Sequence, residues 1–150
     1  MLEIGEKAPD FEVVDAQGEL VKLSDYRGRK LLMWFFPKAS TPGCTTEGCG
    51  LRDDYAQFQS KGVEILGVSK DSPKKQLKFV EKYDFPYRML CDEEGSVVEA
   101  YGAWGLKKFM GREFMGILRI SYLINEEGVV EHLWAKVKTK THSQDVLSAL

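Results

Sequence analysis

Apolar residues along the chain fall into short uninterrupted runs that alternate with segments of helical periodicity. The longest run is KLLMWFF at residues 30–36, and a second run, VEILGVS, occupies residues 63–69. Apolar runs of this length are typical of strands that are covered on both faces of a sheet. The pattern therefore predicts two central strands, and Pro37 ends the first of them.

A helical segment is predicted after each of these strands. The first follows a loop at residues 37–43 and extends to about Ser60. The second starts at Ser72, a residue type suited to cap a helix, with Pro73 at the first helical position. Spacings of three and four residues predict the following buried positions on the two helices: Leu51, Tyr55, Phe58, Leu77, Val80 and Tyr83.

Shorter elements precede and follow this core. Residues 11–14 and 19–23 predict an N-terminal hairpin or a pair of extended segments. Residues 119–124 and 129–134 predict two strands joined by the turn NEEG. The other predicted elements are a strand at 87–91, a short helix at 97–101 and a last helix from about Ser143, whereas the Gly-rich stretch 102–116 receives no assignment. This order of elements predicts an α/β protein with a thioredoxin-like fold and an N-terminal β-hairpin extension.

Composition limits the size and class of the protein. The chain has 150 residues, 43% of them hydrophobic and 29% charged, which fits one globular domain over residues 1–150. The formal net charge is −2 and the cluster Lys136, Lys138 and Lys140 has the pattern of a solvated face, so we expect no nucleic-acid partner. Residues 1–10 lack a signal-peptide pattern and no apolar run approaches the ~18 residues of a membrane span, so we expect a cytoplasmic protein that does not bind membranes.

Cys44 is the first candidate for a reactive residue. Three cysteines, an odd number, do not suit a structural disulfide framework. Cys44 follows the first central strand at the edge where α/β sheets place their ligands. With Thr41 as the cap and Pro42 at the first helical position, Cys44 falls in the first helical turn, where unpaired N–H groups and the helix dipole favour a thiolate. We expect a reactive nucleophile; the alternative is a small buried apolar residue.

Cys49 follows five residues later on the same predicted helix. In an ideal helix the two Cα atoms are ~8.7 Å apart, beyond the about 7 Å that a disulfide tolerates. The turn must therefore unwind before the cysteines bond, and Gly48 and Gly50 make unwinding easier because each destabilises a helix by up to about 1 kcal/mol. The hypothesis is that Cys44 is oxidised to a sulfenic acid and then condenses with Cys49. The alternative is that Cys49 is a passive helix residue.

Several groups are candidates to stabilise charge on a leaving peroxide oxygen. The Thr41 hydroxyl and the N–H groups of Gly43 and Cys44 are near in sequence. Arg119, which opens the apolar strand RISYLI, is a candidate cation because arginine stays charged. As a residue at a strand end, Arg119 is equally suited to the protein surface.

The remaining cysteine and the two histidines carry weaker signals. Cys91, at the end of a predicted strand, is interpreted as a structural thiol, with a secondary role in oxidation as the alternative. His132 and His142 have no cysteine or histidine at metal-ligand spacing, so we expect no zinc site. His132 is interpreted as structural, and a Cys–His protease that uses it stays open.

An enzyme in which peroxide oxidises Cys44 and a dithiol donor restores it would use this cysteine pair, but two other functions are also compatible with the pair. General thiol–disulfide oxidoreductases on this fold usually pair cysteines two residues apart at the helix start, unlike Cys44 and Cys49. A non-catalytic redox sensor would form the same disulfide but stop near one equivalent of peroxide, whereas an enzyme turns over with a dithiol donor.

The segment PKASTPGC at 37–44 fits a pattern of Pro, three residues, Thr, two residues and Cys, and TTEGC follows it at 45–49. Further motifs are LSDYRG at 23–28, AYGAWG at 100–105 and MGILRISYLIN at 115–125. Together these segments resemble the peroxiredoxins, and most closely the bacterioferritin comigratory protein or peroxiredoxin Q group. The resemblance covers nearly the whole chain.

The resemblance implies a peroxidase that reduces hydrogen peroxide and organic hydroperoxides, is recycled by thioredoxin or a related dithiol donor, and uses no metal, haem or flavin. We expect a monomer or weak dimer. By the same resemblance the site residues are peroxidatic Cys44, resolving Cys49, Pro37 shielding the pocket, Thr41 bonding the peroxide, the active-site arginine Arg119, and Glu47 supporting that arginine and the pocket.

Three features depart from the pattern of the group. Ala39 and Ser40 replace a more usual Asp-Phe pair at the pocket mouth, which leaves the preferred substrate size open. Gly50 replaces a usual acidic residue and is expected to loosen the helix. Cys91 stands where serine is common, which leaves an alternative disulfide open.

Overall fold

The computed structural model describes residues 1–150 and contains nine strands, five α-helices and one 3-10 helix at Leu23–Tyr26. The strands are β1 (Glu12–Val14), β2 (Leu20–Lys22), β3 (Lys30–Phe35), β4 (Val63–Ser69), β5 (Arg88–Cys91), β6 (Trp104–Phe109), β7 (Arg112–Ile117), β8 (Ser121–Ile124) and β9 (Val130–Trp134). The helices are α1 (Pro42–Asp53), α2 (Tyr55–Ser60), α3 (Pro73–Tyr83), α4 (Ser96–Ala100) and α5 (His142–Ser148).

The central sheet has five strands in the order β5-β4-β3-β8-β9. β3 runs parallel to β4, and β4 parallel to β5, whereas β8 is antiparallel to both of its neighbours. β1 and β2 form the separate N-terminal hairpin. These pairings confirm the predicted thioredoxin-like α/β arrangement with its N-terminal extension.

β3 lies in the middle of the sheet and is buried on both faces. Leu31, Met33 and Phe35 pack into a core shared with α4 and the N-terminal segments. Leu32 and Trp34 point to the opposite core, which α1, α2, α3 and α5 cover. The period of two along a strand separates the two sets of side chains. The apolar run is uninterrupted because both faces of β3 are buried, as the sequence predicted.

Two predicted helical features differ in the structure. The helix expected to extend to about Ser60 is interrupted at Asp54, whose Oδ2 accepts hydrogen bonds from Ser143 Oγ at 2.7 Å and Gln144 Nε2 at 2.9 Å. The contact to α5 thus coincides with the junction between α1 and α2.

On α3, two of the fully buried residues were not predicted from the spacing, and two residues predicted to be buried are only partly buried. The buried residues are Gln76, Phe79 and Val80, and the partly buried ones are Leu77 and Tyr83.

The Gly-rich stretch forms a two-stranded hairpin of β6 and β7, separate from the central sheet. Its turn contains Met110 and Gly111, which have positive φ angles of 50° and 78°. Two successive residues with positive φ suit a tight hairpin turn, but glycine or asparagine usually occupies the first position. Methionine at that position explains why the turn was not predicted.

Candidate active site

α1 begins just beyond the C-terminal end of the central strand β3, and Cys44 lies in its first turn. The backbone of Thr41 is extended at the N-cap position, and Pro42 is the first helical residue, as predicted. Cys44 is 0% exposed. The N–H groups of Gly43 and Cys44 make no backbone hydrogen bond, as expected for a first helical turn. The helix therefore presents unpaired donors beside the buried thiol.

Thr41 occupies the cap position but does not cap the helix with its side chain. Its hydroxyl instead donates to the carbonyl of Lys38 at 2.7 Å. The predicted side-chain cap is therefore wrong, because the side chain is turned towards the preceding loop and its oxygen accepts no N–H of α1. Pro37, the first residue of that loop, is half-buried directly after the strand region.

Arg119 lies between β7 and β8 and reaches across to α1. Its Nη2 atom donates towards Cys44 Sγ at 3.5 Å, and its Nη1 atom donates to Glu47 Oε1 at 2.9 Å. A Cβ atom on Gly43 would stand 3.1 Å from Nη2 of Arg119. Glycine at this position thus leaves room for the guanidinium over the start of the helix. The structure brings Arg119, Cys44, Gly43 and Glu47 together.

Glu47 is an acidic side chain with no exposure to solvent. Its Oε1 atom pairs with Arg119, but its Oε2 atom has no hydrogen-bond partner. His142 Nε2 lies 3.9 Å from that oxygen and 2.8 Å from Ser121 Oγ. Burial raises the pKa of Glu47 to about 7, although the hydrogen bond and charge of Arg119 act in the opposite direction. Burial lowers the pKa of His142 to about 4, so this imidazole is neutral at pH 7.

Glu47→Gln is expected to change the pH dependence of stability. A carboxyl whose pKa rises from 4.5 to about 7 on folding stabilises the native state below pH 4.5, and this contribution is lost as pH rises through 7. His142, with its lowered pKa, acts in the opposite direction, since its contribution is lost as pH falls from 6.5 towards 4. Between pH 5 and pH 8 the wild type should therefore lose on the order of 2 kcal/mol relative to Glu47→Gln.

Urea unfolding at pH 5 and pH 8 in a reducing buffer measures this difference. His142 titrates in both proteins, so the difference between their curves reports Glu47 together with its coupling to His142. The exposed Glu126→Gln serves as the matched control and should show no such difference. Parallel pH curves for wild type and Glu47→Gln would contradict a protonated Glu47 in the folded protein.

Cys49 lies on α1 with Cys44, and both thiols are free. Because the segment between them is helical, their Cα atoms are ~8.7 Å apart by helix geometry, too far for a disulfide. Cys49 is partly exposed, and burial raises its pKa, with Arg52 opposing the shift. The requirement for local unwinding, derived from the spacing, therefore applies to the folded protein.

The two glycines beside Cys49 differ in their surroundings. A Cβ atom on Gly48 would lie 2.9 Å from Cζ of Phe85, so this glycine is needed for close packing. The Gly48 carbonyl also accepts a hydrogen bond from the Tyr87 hydroxyl at 2.8 Å. A Cβ atom on Gly50 would make only an ordinary contact of 3.8 Å to Ser143. Only Gly50 is therefore free to lower helix stability without a packing role.

The other residues considered in the sequence lie away from Cys44. Cys91 is buried, and burial, followed by the charges of nearby acidic residues, raises its pKa to about 12. This thiol is therefore poorly suited to react as a thiolate. His132 is partly buried against Trp134, with ring centroids 5.5 Å apart. No cluster of three or more His, Cys, Asp or Glu side chains is placed to hold a metal ion. None of the helices is long and apolar enough to cross a membrane.

Sequence reasoning missed two groups that contact the site. His142 of α5, hydrogen-bonded to Ser121 of β8, approaches Glu47. Asp71, beyond β4, accepts a hydrogen bond from the Ala39 amide at 2.8 Å. The one available signal was a polar residue next to an apolar strand, as in VSKD at 68–71, and such residues are common at strand ends. The sequence pattern alone therefore did not distinguish these residues from other polar residues at the ends of strands.

Comparison with known proteins points in one direction. The model of the AhpC/TSA family matches residues 4–133. The chain is 47% identical to peroxiredoxin Bcp of Bacillus subtilis strain 168, over 99% of this chain and 95% of that protein. It is 44% identical to peroxiredoxin Bcp of Escherichia coli strain K12, over 99% and 96%.

Solved structures give the same result. A cysteine-to-serine mutant of PrxQ from Xylella fastidiosa is similar with a TM-score of 0.93 and 27% identity, over 99% of this chain and 95% of that one. The bacterioferritin comigratory protein of Xanthomonas campestris is similar with a TM-score of 0.87 and 34% identity, over 93% and 88%.

Proposed function

The chain belongs to the AhpC/TSA family of peroxiredoxins and is a thiol peroxidase, and we propose that Cys44 and Cys49 carry out its reaction. Its substrate is a hydroperoxide and its reductant is a thiol. The observation that carries the proposal is the position of Arg119 Nη2, 3.5 Å from a cysteine sulfur in the first turn of a helix. A fixed cation and unpaired N–H donors favour the thiolate and stabilise the negative charge on the oxygen that departs as the O–O bond breaks.

In the first step, the Cys44 thiolate attacks one oxygen of the hydroperoxide. The S–O bond forms and the O–O bond breaks, the second oxygen leaves as an alkoxide or hydroxide that takes up a proton, and Cys44 becomes a sulfenic acid. Arg119 and the N–H groups of Gly43 and Cys44 stabilise the departing charge. Glu47 holds the guanidinium in place.

In the second step, α1 unwinds and the Cys49 thiolate attacks the sulfur of the Cys44 sulfenic acid. The S–S bond forms and the S–O bond breaks, and the oxygen leaves as water after protonation. A dithiol donor then reduces the disulfide, and α1 refolds around Cys44. Within the loop before α1, Pro37 shields the pocket and Thr41 bonds the peroxide.

Tryptic mapping after one equivalent of peroxide tests these assignments. Cleavage after Lys38 and Arg52 releases residues 39–52, ASTPGCTTEGCGLR, which carries both cysteines, whereas Cys91 lies on residues 89–107. The expected product is the 39–52 peptide lighter by two hydrogens and resistant to alkylation, with Cys91 still alkylated. A cross-link between the two peptides would replace Cys49 by Cys91 as the resolving residue. An oxidised peptide 89–107 alone would remove Cys44 from its role.

Gly50→Ala is expected to slow disulfide formation. Alanine fits the space at this position and stabilises a helix by up to about 1 kcal/mol, which lowers the population of the unwound turn by up to about fivefold. The rate of sulfenic acid formation should be unchanged, because that step needs the folded turn. Rapid quenching with an alkylating agent after peroxide addition measures both steps.

Gly48→Ala is the matched control for this prediction. It also adds one methyl group to α1, but that methyl group collides with Phe85 and loosens the helix packing. Disulfide formation should not slow in this variant. Equal rates of disulfide formation in wild type and Gly50→Ala would show that unwinding of α1 does not limit the step.

We further propose the finer features of the reaction. Hydrogen peroxide and organic hydroperoxides are the substrates, and a solved structure of the Xanthomonas campestris relative concerns the alkyl peroxide reduction activity of that protein. Thioredoxin or a related dithiol protein is the donor, and the enzyme works in the cytoplasm as a monomer or weak dimer, one domain over residues 1–150, without nucleic-acid or membrane partners. Steady-state assays with several donors and hydroperoxides test the first two points.

A further inference from the structure

The loop before α1, residues 37–41, makes few hydrogen bonds to the rest of the protein, although the Ala39 side chain is buried in the core. Thr41 Oγ1 bonds within the loop to the Lys38 carbonyl. Ser40 has a φ angle of 65°, in the left-handed region that is unfavourable for residues with a β-carbon. The Ala39 N–H is the one group of the loop whose hydrogen bond reaches beyond α1, and it donates to Oδ2 of Asp71 at 2.8 Å. Besides the packing of Ala39, one external hydrogen bond thus holds a strained loop.

Asp71 is itself held firmly. It lies just beyond β4, is 9% exposed, and accepts a second hydrogen bond from Ser69 Oγ at 2.7 Å on the same Oδ2 atom. Ser69 Oγ in turn accepts from Gln76 Nε2 at 2.9 Å, and Gln76 also donates to the carbonyl of Leu90 at 2.8 Å. These buried bonds join the ends of β4, α3 and β5. The carboxyl of Asp71 therefore has a position fixed by the central sheet.

We propose that Asp71 is a positioning residue for the peroxide step, acting through the Ala39 amide on the loop that carries Pro37, Thr41 and the start of α1. The inference rests on the proposed role of Cys44. A buried N–H group that loses its acceptor is unfavourable, and the strained loop would relax to regain a partner. Small displacements of groups around a reacting atom cause large losses of rate. The loop position, rather than the thiol itself, is what Asp71 controls.

Three variants separate this role from a purely structural one. Asp71→Ala removes the acceptor of the Ala39 amide, Asp71→Asn keeps a carbonyl oxygen in place, and Ser69→Ala removes the second bond to the same carboxyl while leaving Ala39 bonded. All are made in a Cys49→Ser background, and Cys44 is followed on the tryptic peptide 39–52. Two rates are measured for Cys44: oxidation by hydrogen peroxide and alkylation by iodoacetamide, which needs no peroxide pocket.

The expected result is a fall of about tenfold or more in the oxidation rate of Asp71→Ala. Asp71→Asn should stay within about threefold of the parent, and alkylation should stay within about threefold in every variant. Ser69→Ala should lose clearly less than Asp71→Ala, because the Ala39 amide keeps its acceptor. Equal losses in Asp71→Ala and Ser69→Ala would overturn the proposal, as would a failure of asparagine to restore the rate or a parallel fall in alkylation. If Asp71→Ala does not fold, Asp71→Ser takes its place under the same criteria, since its shorter side chain does not reach Ala39.

A Cys44→Ser variant of the otherwise unchanged protein distinguishes a failure of the role proposed for Cys44 from a failure of the role proposed for Asp71. If this variant still turned over peroxide, the proposed function of Cys44 would be wrong whatever the Asp71 variants showed. If it were inactive and the Asp71 and Ser69 variants behaved alike, only the positioning role would be lost.

Discussion

Arg119→Met should lower the second-order rate constant for hydrogen peroxide by about a hundredfold, because loss of one preorganised donor at a reacting centre costs that much or more. The guanidinium lies 3.5 Å from Cys44 Sγ, so its removal takes away both a cation that favours the thiolate and a donor for the departing oxygen. Methionine has a similar length and no charge, and it fills the space without replacing either function. Stopped-flow measurement with peroxide in excess gives the rate directly.

The same substitution leaves Glu47 without its partner. A buried acid that loses a paired base is strongly destabilising, by about 3–5 kcal/mol in comparable buried pairs, unless it takes up a proton. Glu47 has a raised pKa already, so it should be protonated in the variant, but protonation at pH 7 costs free energy that a neutral glutamine avoids. The double variant Arg119→Met with Glu47→Gln should therefore recover much of the stability but none of the rate.

Two controls complete this prediction. Arg27→Met changes an exposed arginine away from the site and should retain the wild-type rate. A rate in Arg119→Met within about threefold of wild type would remove Arg119 from the site. A rate that returned together with stability in the double variant would show that the loss came from destabilisation alone.

The features that the sequence predicted well are those with local causes. The strand at 30–36 was predicted because both faces of β3 are buried, and this requires an uninterrupted apolar run. The start of α1 was predicted because Pro42 suits the first helical position, which in turn placed Cys44 in the first turn. The spacing of Cys44 and Cys49 predicted that the helix must unwind, because residues five apart in a helix are too distant for a disulfide.

Features that depend on distant contacts were not predictable from local patterns. Arg119 is 75 residues from Cys44 and 72 from Glu47, and only the family motif around it suggested its place. The break at Asp54 coincides with bonds to α5, about 90 residues later. The burial of Glu47 between Arg119 and His142 reverses the usual expectation for an acidic residue on a helix. Each of these required the fold to bring separate elements together.

Cys49→Ser should separate the two steps of the reaction. Oxidation of Cys44 should proceed within about threefold of the wild-type rate, because Arg119 bonds Cys44 and Glu47 and not Cys49. Turnover with a protein dithiol donor should fall by about a hundredfold or more, since no disulfide forms for the donor to reduce. With excess peroxide the persistent sulfenic acid should be converted to sulfinic acid, which is not reduced in an assay without a dedicated repair enzyme.

Mass measurement of the 39–52 peptide follows this outcome, because one added oxygen marks the sulfenic acid and two mark the sulfinic acid. Cys91→Ser is the matched control, and its turnover should equal that of the wild type, since burial keeps the Cys91 thiol protonated. Normal turnover in Cys49→Ser, together with a cross-link between residues 39–52 and 89–107, would instead make Cys91 the resolving cysteine. That result would require the end of β5 to open rather than α1, and the Gly50→Ala variant would then have no effect on the disulfide step.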